Sequence, residues 1–454
     1  MAGDTGTETV GAAGGVPPRP RILGAVRDGR IGRGVALAAL LAGFMLALSQ
    51  VEDLVREREA MRGDAEAAVG ALWAPAQLVS GPFLVVPEDR VSGSGADLRA
   101  ETVHHVVTPR EVHVDVALAT ETRRRGLFEV PVYTADVTVT GRFEAADMEP
   151  LLRSAGLSPP ILALTLTDAG GIAGTPEASW AGAPATVIPD LPPSIGRLLG
   201  GQAVGARLAL PGGDGRFRIA FQLRGTERLL LAPAAGSTTV AMRSAWPHPS
   251  FVGSRTAETH RITGDGFEAA WRLGPFGRSV PSGWIAGPSS QPDAVAAIAA
   301  QAFGVALVQP VDPYRMTERT LKYGMLFALY TFGAFLILEV VFGRPLHWLH
   351  YALTGASVAT FFLLLLSLSE VVGFAAAYAL GAASVVLQTG LYAGSVLGNR
   401  RLALGFAGLL AVLYGGLFGL LRLEDTALVT GSIGLFAAIG LAMALTRRLG
   451  LRPA

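Results

Sequence analysis

The sequence contains no cysteine. Disulfides, thiolate metal sites and cysteine nucleophiles are excluded together. Lysine is almost as scarce: Lys322 is the single lysine among 37 basic residues, so arginine carries the positive charge. Charge of either sign is sparse, at 16% of the chain, against roughly 25% in an ordinary soluble domain. The formal net charge of +1 gives no electrostatic footprint for a nucleic-acid partner. There is no P-loop, no Gly-rich dinucleotide motif and no H-E-x-x-H.

What is present is apolar. Half of the 454 residues are hydrophobic and the mean hydropathy is +0.43. The average hides two materials. From Tyr323 to Ala454 only 11 of 132 residues are Asp, Glu, Lys or Arg, while the other 62 fall in the first 322. A helix needs roughly 20 mostly apolar residues to cross a bilayer. Gly34–Val51 is the first such run; Ser49-Gln50-Val51 leads straight into charged residues with no cleavage pattern, which predicts an uncleaved signal anchor. The tail offers five more: Tyr323–Phe342, Leu346–Leu368, Val371–Leu397, Leu402–Leu421 and Thr426–Leu445. The breaks are short, at Gly343-Arg344-Pro345, Glu370, Asn399-Arg400-Arg401 and Arg422-Leu423-Glu424-Asp425, which predicts antiparallel neighbours. Arginines gather at 19–33, 344, 400–401 and 447–452, all on one side of a six-crossing trace. That side is expected to be cytoplasmic. Arg315, Arg319 and Lys322 dissent, after a long translocated domain where the rule is weak.

Residues 1–20 are rich in Gly, Ala, Thr and Pro and predict disorder. Glu52–Leu72 keeps helical character and predicts an outward extension of the first span. From about Gly81 to Leu273 the period switches to strands. Val112, Val114, Val116 and Leu118 alternate with Glu111, His113 and Asp115; Tyr133–Phe143 and Phe217–Arg224 read the same way. Turns such as Leu210–Gly215 separate them, and a β-sandwich or a large bent sheet is expected. Short helices are expected at Met148–Ser154, Pro193–Leu199 and Ala294–Phe303.

Candidate chemistry is thin. His347 and His350 fit an interfacial anchor beside Trp348 and Tyr351 better than a metal site, for which further ligands are missing. His105 and His113 could share a hairpin face. Trp246-Pro247-His248-Pro249-Ser250-Phe251 could place His248 near Ser250, but without a G-x-S-x-G elbow a rigid aromatic loop is the better reading. Glu339 is the one acid well inside a span. Lys322, 17 residues away or about 25 Å along a helix, is out of its direct reach. The small-xxx-small runs at Gly390–Gly398 and Gly415–Gly419 favour close helix packing, within the bundle or between protomers.

Several stretches, in order, resemble the CreD family of inner-membrane proteins. They are Leu72-Trp73 with Gly81–Pro87, Arg123–Tyr133, Thr167–Ile172, Ser244–Phe251 and Gly266–Trp271, then Val311–Tyr314, Thr317–Arg319, Lys322-Tyr323, Glu339, Leu363–Glu370, Leu413–Gly415 and Glu424–Leu428. The pattern departs at Ser254–Ala257 and Pro275–Arg278. The resemblance implies a multipass bacterial inner-membrane protein tied to envelope integrity, envelope stress and β-lactam response, with no catalytic residues to carry over. The expected fold is a membrane protein of α plus β type, with six transmembrane helices, one N-terminal and five C-terminal. A large periplasmic, mainly antiparallel β domain is inserted after the first helix. The expected organisation is a cytoplasmic segment 1–33, a first transmembrane helix 34–51, a periplasmic domain 52–319 and a five-helix bundle 320–454 with a cytoplasmic C-terminus. Candidate functional residues are Glu339, Glu370, Arg125, Trp246, His248, Asp312, Tyr314, Lys322, Glu424 and Asp425. Neither cofactor nor metal is expected. The expected partners are the bilayer, an envelope protein or cell-wall component, and a second copy of the chain. A transporter or flippase using the bundle is the competing reading. A wall hydrolase built on His248 is a third.

Overall fold

The computed structural model describes residues 29–423, apart from 93–98, 155–158, 190, 209–214, 278–280, 287–292, 310–312, 343–346 and 399, together with isolated positions after 428. The N-terminal segment 1–28, the Gly343–Pro345 break, most of the Leu210–Gly215 turn and most of the last expected span lie outside the described residues. The chain divides into two compact units. One comprises Met1–Arg58 with Val311–Ala454, the other Glu59–Pro310.

The second unit is β-rich. In chain order its strands are β1 (Gln77–Ser92), β2 (Arg99–Val107), β3 (Glu111–Arg125), β4 (Phe128–Arg142), β5 (Ile161–Leu166), β6 (Ile172–Trp180), β7 (Ala183–Pro184), β8 (Thr186–Ile188) and β9 (Gln202–Arg207). They continue with β10 (Arg216–Thr226), β11 (Arg228–Pro233), β12 (Ser237–Ser244), β13 (Pro249–Gly253), β14 (Thr259–Thr263), β15 (Gly266–Leu273), β16 (Gly283–Ala286) and β17 (Phe303–Leu307). A nine-stranded sheet runs β13-β17-β11-β1-β5-β9-β8, with β2 joined to β1 and β16 joined to β2. An eight-stranded sheet runs β14-β15-β12-β3-β4-β10-β6-β7. The pairing is mostly antiparallel, but β1–β11 and β3–β12 are parallel.

Alternation explains the eight-stranded sheet. In β3 the valines at 112, 114 and 116 and Leu118 are buried, and in β10 Phe217, Ile219, Phe221 and Leu223 are buried. They meet Leu84, Val86, Leu162, Leu229, Leu231, Phe303 and Val305 of the other sheet in one core. The nine-stranded sheet is dry on both faces. Phe83, Val85, Ile161 and Ala163 point the other way, against Ile195, Leu198 and Leu199 of the helix Pro193–Leu199 and Ile298 of the helix Asp293–Ala300. This is why Phe83-Leu84-Val85-Val86 and Ile161–Leu166 are continuous apolar runs, the signature of a strand buried on two sides.

Three sequence expectations need correction. The helix expected at Ala294–Phe303 ends at Ala300, and Phe303 starts β17. Gly304 explains the change: a Cβ there would stand 2.1 Å from the Leu229 carbonyl oxygen, so only glycine fits the pairing with β11. The Trp246–Phe251 loop becomes an edge strand from Pro249 onward, with the proline at the first position, where no ladder donor is needed. His105 and His113 share no hairpin face, because β2 belongs to the nine-stranded sheet and β3 to the eight-stranded one.

The other unit is helical. A 45-residue helix, α1, runs Gly29–Trp73, so the helical character read at Glu52–Leu72 continues the first apolar run without a break. Its residues Phe44, Leu48 and Val51 join the core of the helical unit. Further helices are α2 (Ala145–Ser154), α3 (Pro193–Leu199) and α4 (Asp293–Ala300) in the β unit. In the helical unit they are α5 (Pro313–Lys322), α6 (Gly324–Phe342), α7 (Trp348–Val372), α8 (Phe374–Leu397) and α9 (Arg400–Arg422). Among the described residues four helices, α1 and α7 to α9, are long and apolar enough to cross a membrane. Small residues let them approach. A Cβ on Gly390 would stand 2.9 Å from the Ala407 Cβ, and one on Gly394 would stand 3.0 Å from that of Ala403. The Gly390–Gly398 run is thus the α8–α9 seam. Gly415 and Gly419 meet nothing within 4 Å.

Candidate functional site

The sequence candidates separate into a polar knot in the helical unit and pinned loops in the β unit. Glu370, expected in a turn between spans, sits inside α7; the break falls at Gly373, whose φ of 78° ends the helix. Its carboxylate is only 9% exposed and lies 3.7 Å from the Arg58 guanidinium of α1. The Tyr314 hydroxyl, on α5, donates to the same carboxylate at 2.9 Å. Tyr314 itself is buried. Three elements far apart in sequence therefore share one carboxylate. An acid held among low-dielectric neighbours needs such partners.

Around this knot the polar contacts are local. Lys322 pairs with Glu318 one turn away at 2.9 Å. The Arg319 guanidinium donates to the Leu423 carbonyl at 3.3 Å. Between α7 and α8, His350 meets the Tyr392 hydroxyl at 2.6 Å and the Ser357 hydroxyl donates to Gln388 at 3.0 Å. His347 instead caps α7, accepting from the Leu349 amide, so the two histidines do not form one site. Glu339 lies on α6, and its side chain is outside the described residues, as are Asp312, Glu424 and Asp425. A furrow of about 1,410 Å³ runs beside α8 and α9, lined chiefly by alanine, leucine and glycine, with Arg400 and Arg422 among its walls. Ser395, Tyr378 and Tyr414 bring its only hydroxyls among the described residues, and no carboxylate lines it there.

In the β unit the signature stretches turn out to be fastenings. The Gln77 amide binds both the carbonyl and the amide of Asp168, at 3.1 and 3.2 Å, and the Asp168 carboxylate caps the following turn. Gly171 has no room for a Cβ, which would stand 2.7 Å from the Gln77 nitrogen. The Trp246 indole donates to the carbonyls of His248 and Val308, at 3.2 and 3.1 Å. His248 is exposed and no hydrogen bond joins it to Ser250 among the described residues, so the nucleophile reading has no geometry behind it. The guanidiniums of Arg123 and Arg224 lie over the ring of Trp73, at the end of α1, at 3.8 and 4.6 Å from its centre. Its indole donates to the Tyr133 carbonyl at 3.3 Å. Arg125 stands exposed beside Gly126, the left-handed residue (φ 62°) that turns β3 into β4.

Sequence reading missed two ionisable features. Glu88 accepts from His105 at 2.6 Å and from Arg90, and these contacts hold its carboxyl below the usual range. Neighbouring His104 is pushed down by burial. Glu227, at φ 57° between β10 and β11, is pushed up by burial and by Glu66. The alternation rule marks faces and says nothing of such pairings across strands. Among the described residues no group of three or more His, Asp or Glu is placed to hold a metal ion.

Both stretches that depart from the family pattern, Ser254–Ala257 and Pro275–Arg278, contribute to one pocket of about 390 Å³, through Arg255, Thr256 and Phe276. The model of the inner membrane protein CreD family matches residues 31–451. The inner membrane protein CreD of Escherichia coli (strain K12) is 29% identical over 429 residues, covering 91% of each chain. Apolar helices of spanning length, a pinned β unit and a match that runs through both lead to one assignment: the chain belongs to the CreD family of inner-membrane proteins.

Proposed function

We propose that this protein supports envelope integrity, and with it the envelope-stress and β-lactam response, through its β unit and without catalysis. Residues 52–319, which include the β unit, stand in the periplasm and engage an envelope protein or a cell-wall component. Six spans anchor it, with both termini in the cytoplasm, and copies associate through the bundle. One observation carries this reading: the family match spans residues 31–451 and so takes in both the β unit and the helical unit. The fastenings around Trp73, Gln77 and Trp246 support it, because signature residues spent on rigidity suit a binding scaffold.

Deleting the gene tests the proposal. Altered detergent sensitivity, cell shape or β-lactam response is expected, restored by the intact chain. An unchanged envelope under antibiotic challenge contradicts it. Glu339→Gln separates it from transport. Full complementation is expected here, whereas a proton- or ion-coupled carrier would lose function.

A further inference from the structure

We propose that the furrow beside α8 and α9 is a site for anionic phospholipid. It takes one molecule from each leaflet, with the acyl chains along its walls and the two phosphates on Arg400 and Arg422. The inference concerns the helical unit alone and goes beyond the functional reading above. The furrow holds about 1,410 Å³, and both helices that wall it are long and apolar enough to cross a membrane. On α8 the lining runs from Ala375 to Ser395, about 30 Å of helix, which is the depth of a bilayer's hydrocarbon core.

Two features select the occupant. The walls are built from small side chains, Ala376, Ala379 and Ala383 on α8 and Ala403, Ala407 and Ala411 on α9. The seam draws the two backbones together at Gly390 and Gly394, and the alanines flanking it are too short to fill the groove that remains. An empty groove forfeits the dispersion contacts of its lining, so in a membrane a chain of methylenes belongs there. The second feature is charge. Arg400 opens α9 and Arg422 closes it, about 33 Å apart along the helix, so one cation stands at each end of the furrow. That spacing matches the two headgroup layers. Both arginines are exposed, and neither has an ion-pair partner among the described residues. The Arg422 guanidinium lies over the ring of Phe418, another wall residue, at 4.9 Å from its centre, which holds the cation at the furrow. An arginine fork matches a phosphate, and basic pockets between membrane helices recognise anionic headgroups. A second copy fits less well. Copies in one membrane share an orientation, so a face-to-face pair would set Arg400 against Arg400 and Arg422 against Arg422. No carboxylate lines the furrow among the described residues to relieve that repulsion.

The test uses the full chain, delipidated in detergent, with dioleoylphosphatidylglycerol as the probe and native mass spectrometry as the readout. Two bound probe molecules are expected at saturation. Arg400→Ala and Arg422→Ala, both at exposed positions, should each weaken one of the two sites by about tenfold, and the double variant should lose both. Arg400→Lys keeps the charge and should keep its lipid, with the melting temperature unchanged in every variant. The zwitterionic dioleoylphosphatidylcholine should bind about tenfold more weakly, and millimolar inorganic phosphate should displace neither probe molecule. No retained probe, equal affinity for the two lipids, or unaltered binding in the double variant overturns the proposal. Displacement by inorganic phosphate overturns it as well, because the acyl chains would then have no part. Ala383→Cys puts a single thiol on the furrow wall of a chain without cysteine. Under mild oxidation in native membranes this variant is expected to stay monomeric, and a disulfide-linked dimer would place a second copy in the furrow in the lipid's stead.

Discussion

The two units of this chain solve the packing problem in opposite ways. The β unit has large buried side chains, Trp271, Tyr133, Phe143 and Phe303 among them, interdigitating between two sheets. Water drives that arrangement, because each buried apolar side chain leaves solvent. The helical unit has no such drive where it faces lipid. It closes through glycines against alanines at the α8–α9 seam and through hydrogen bonds from helix to helix. One unit is sensitive to lost volume, the other to added volume.

Substitutions can break that contrast. Phe303→Ala should have the largest effect, about 3–5 kcal/mol off the β unit, with helix content in the membrane retained. A matched drop in both units on thermal melting would mean they are not built independently. Gly390→Leu should come next. A side chain at a site where a Cβ already stands 2.9 Å from Ala407 should cost roughly 1–3 kcal/mol in the helical unit. Reversible unfolding in bicelles is the assay, and a neutral result would show that the seam is loose. Ser357→Ala should lose only about 0.6 kcal/mol, the usual value for a hydrogen bond between membrane helices. A much larger loss would give the Ser357–Gln388 pair a role beyond packing.

The smallest effect sharpens the β side. Glu227 has its pKa raised in the fold by burial and Glu66. Such an acid favours folding below its unfolded pKa and loses that contribution as pH rises through the folded one. Glu227→Gln should therefore raise the melting temperature at pH 7 by roughly 1 °C and leave it unchanged near pH 4. An equal gain at both pH values would point to the backbone at φ 57° instead. Glu88 titrates the other way: held down by His105 and Arg90, it loses its contribution as pH falls below the ordinary carboxylate range.

Much of the fold was legible where one physical rule acts alone. Strands β3, β4 and β10 alternate because each has one wet face, and α1 continues past Val51 because its pattern does. Gly63 and Gly70 did not interrupt it. The runs at Phe83 and Ile161 were harder, since a strand dry on both faces loses its period. Parallel pairs and the split of β2 from β3 depend on partners more than a hundred residues away or on another sheet. The candidate site was the least legible. Glu370 stood out as an isolated acid, but nothing local announces Tyr314, 56 residues away, or Arg58, on the first helix.

The account stands on the β unit working outside the cytoplasm, and the absence of cysteine makes that directly measurable. Asp265→Cys puts one thiol on the exposed turn between β14 and β15. Intact cells expressing it would be treated with a small sulfonated maleimide that does not cross the inner membrane. The account predicts labelling without lysis, while a cysteine at Arg448, on the expected cytoplasmic tail, stays protected until the cells are opened. Protection of Asp265→Cys in intact cells, with labelling only after lysis, would contradict it.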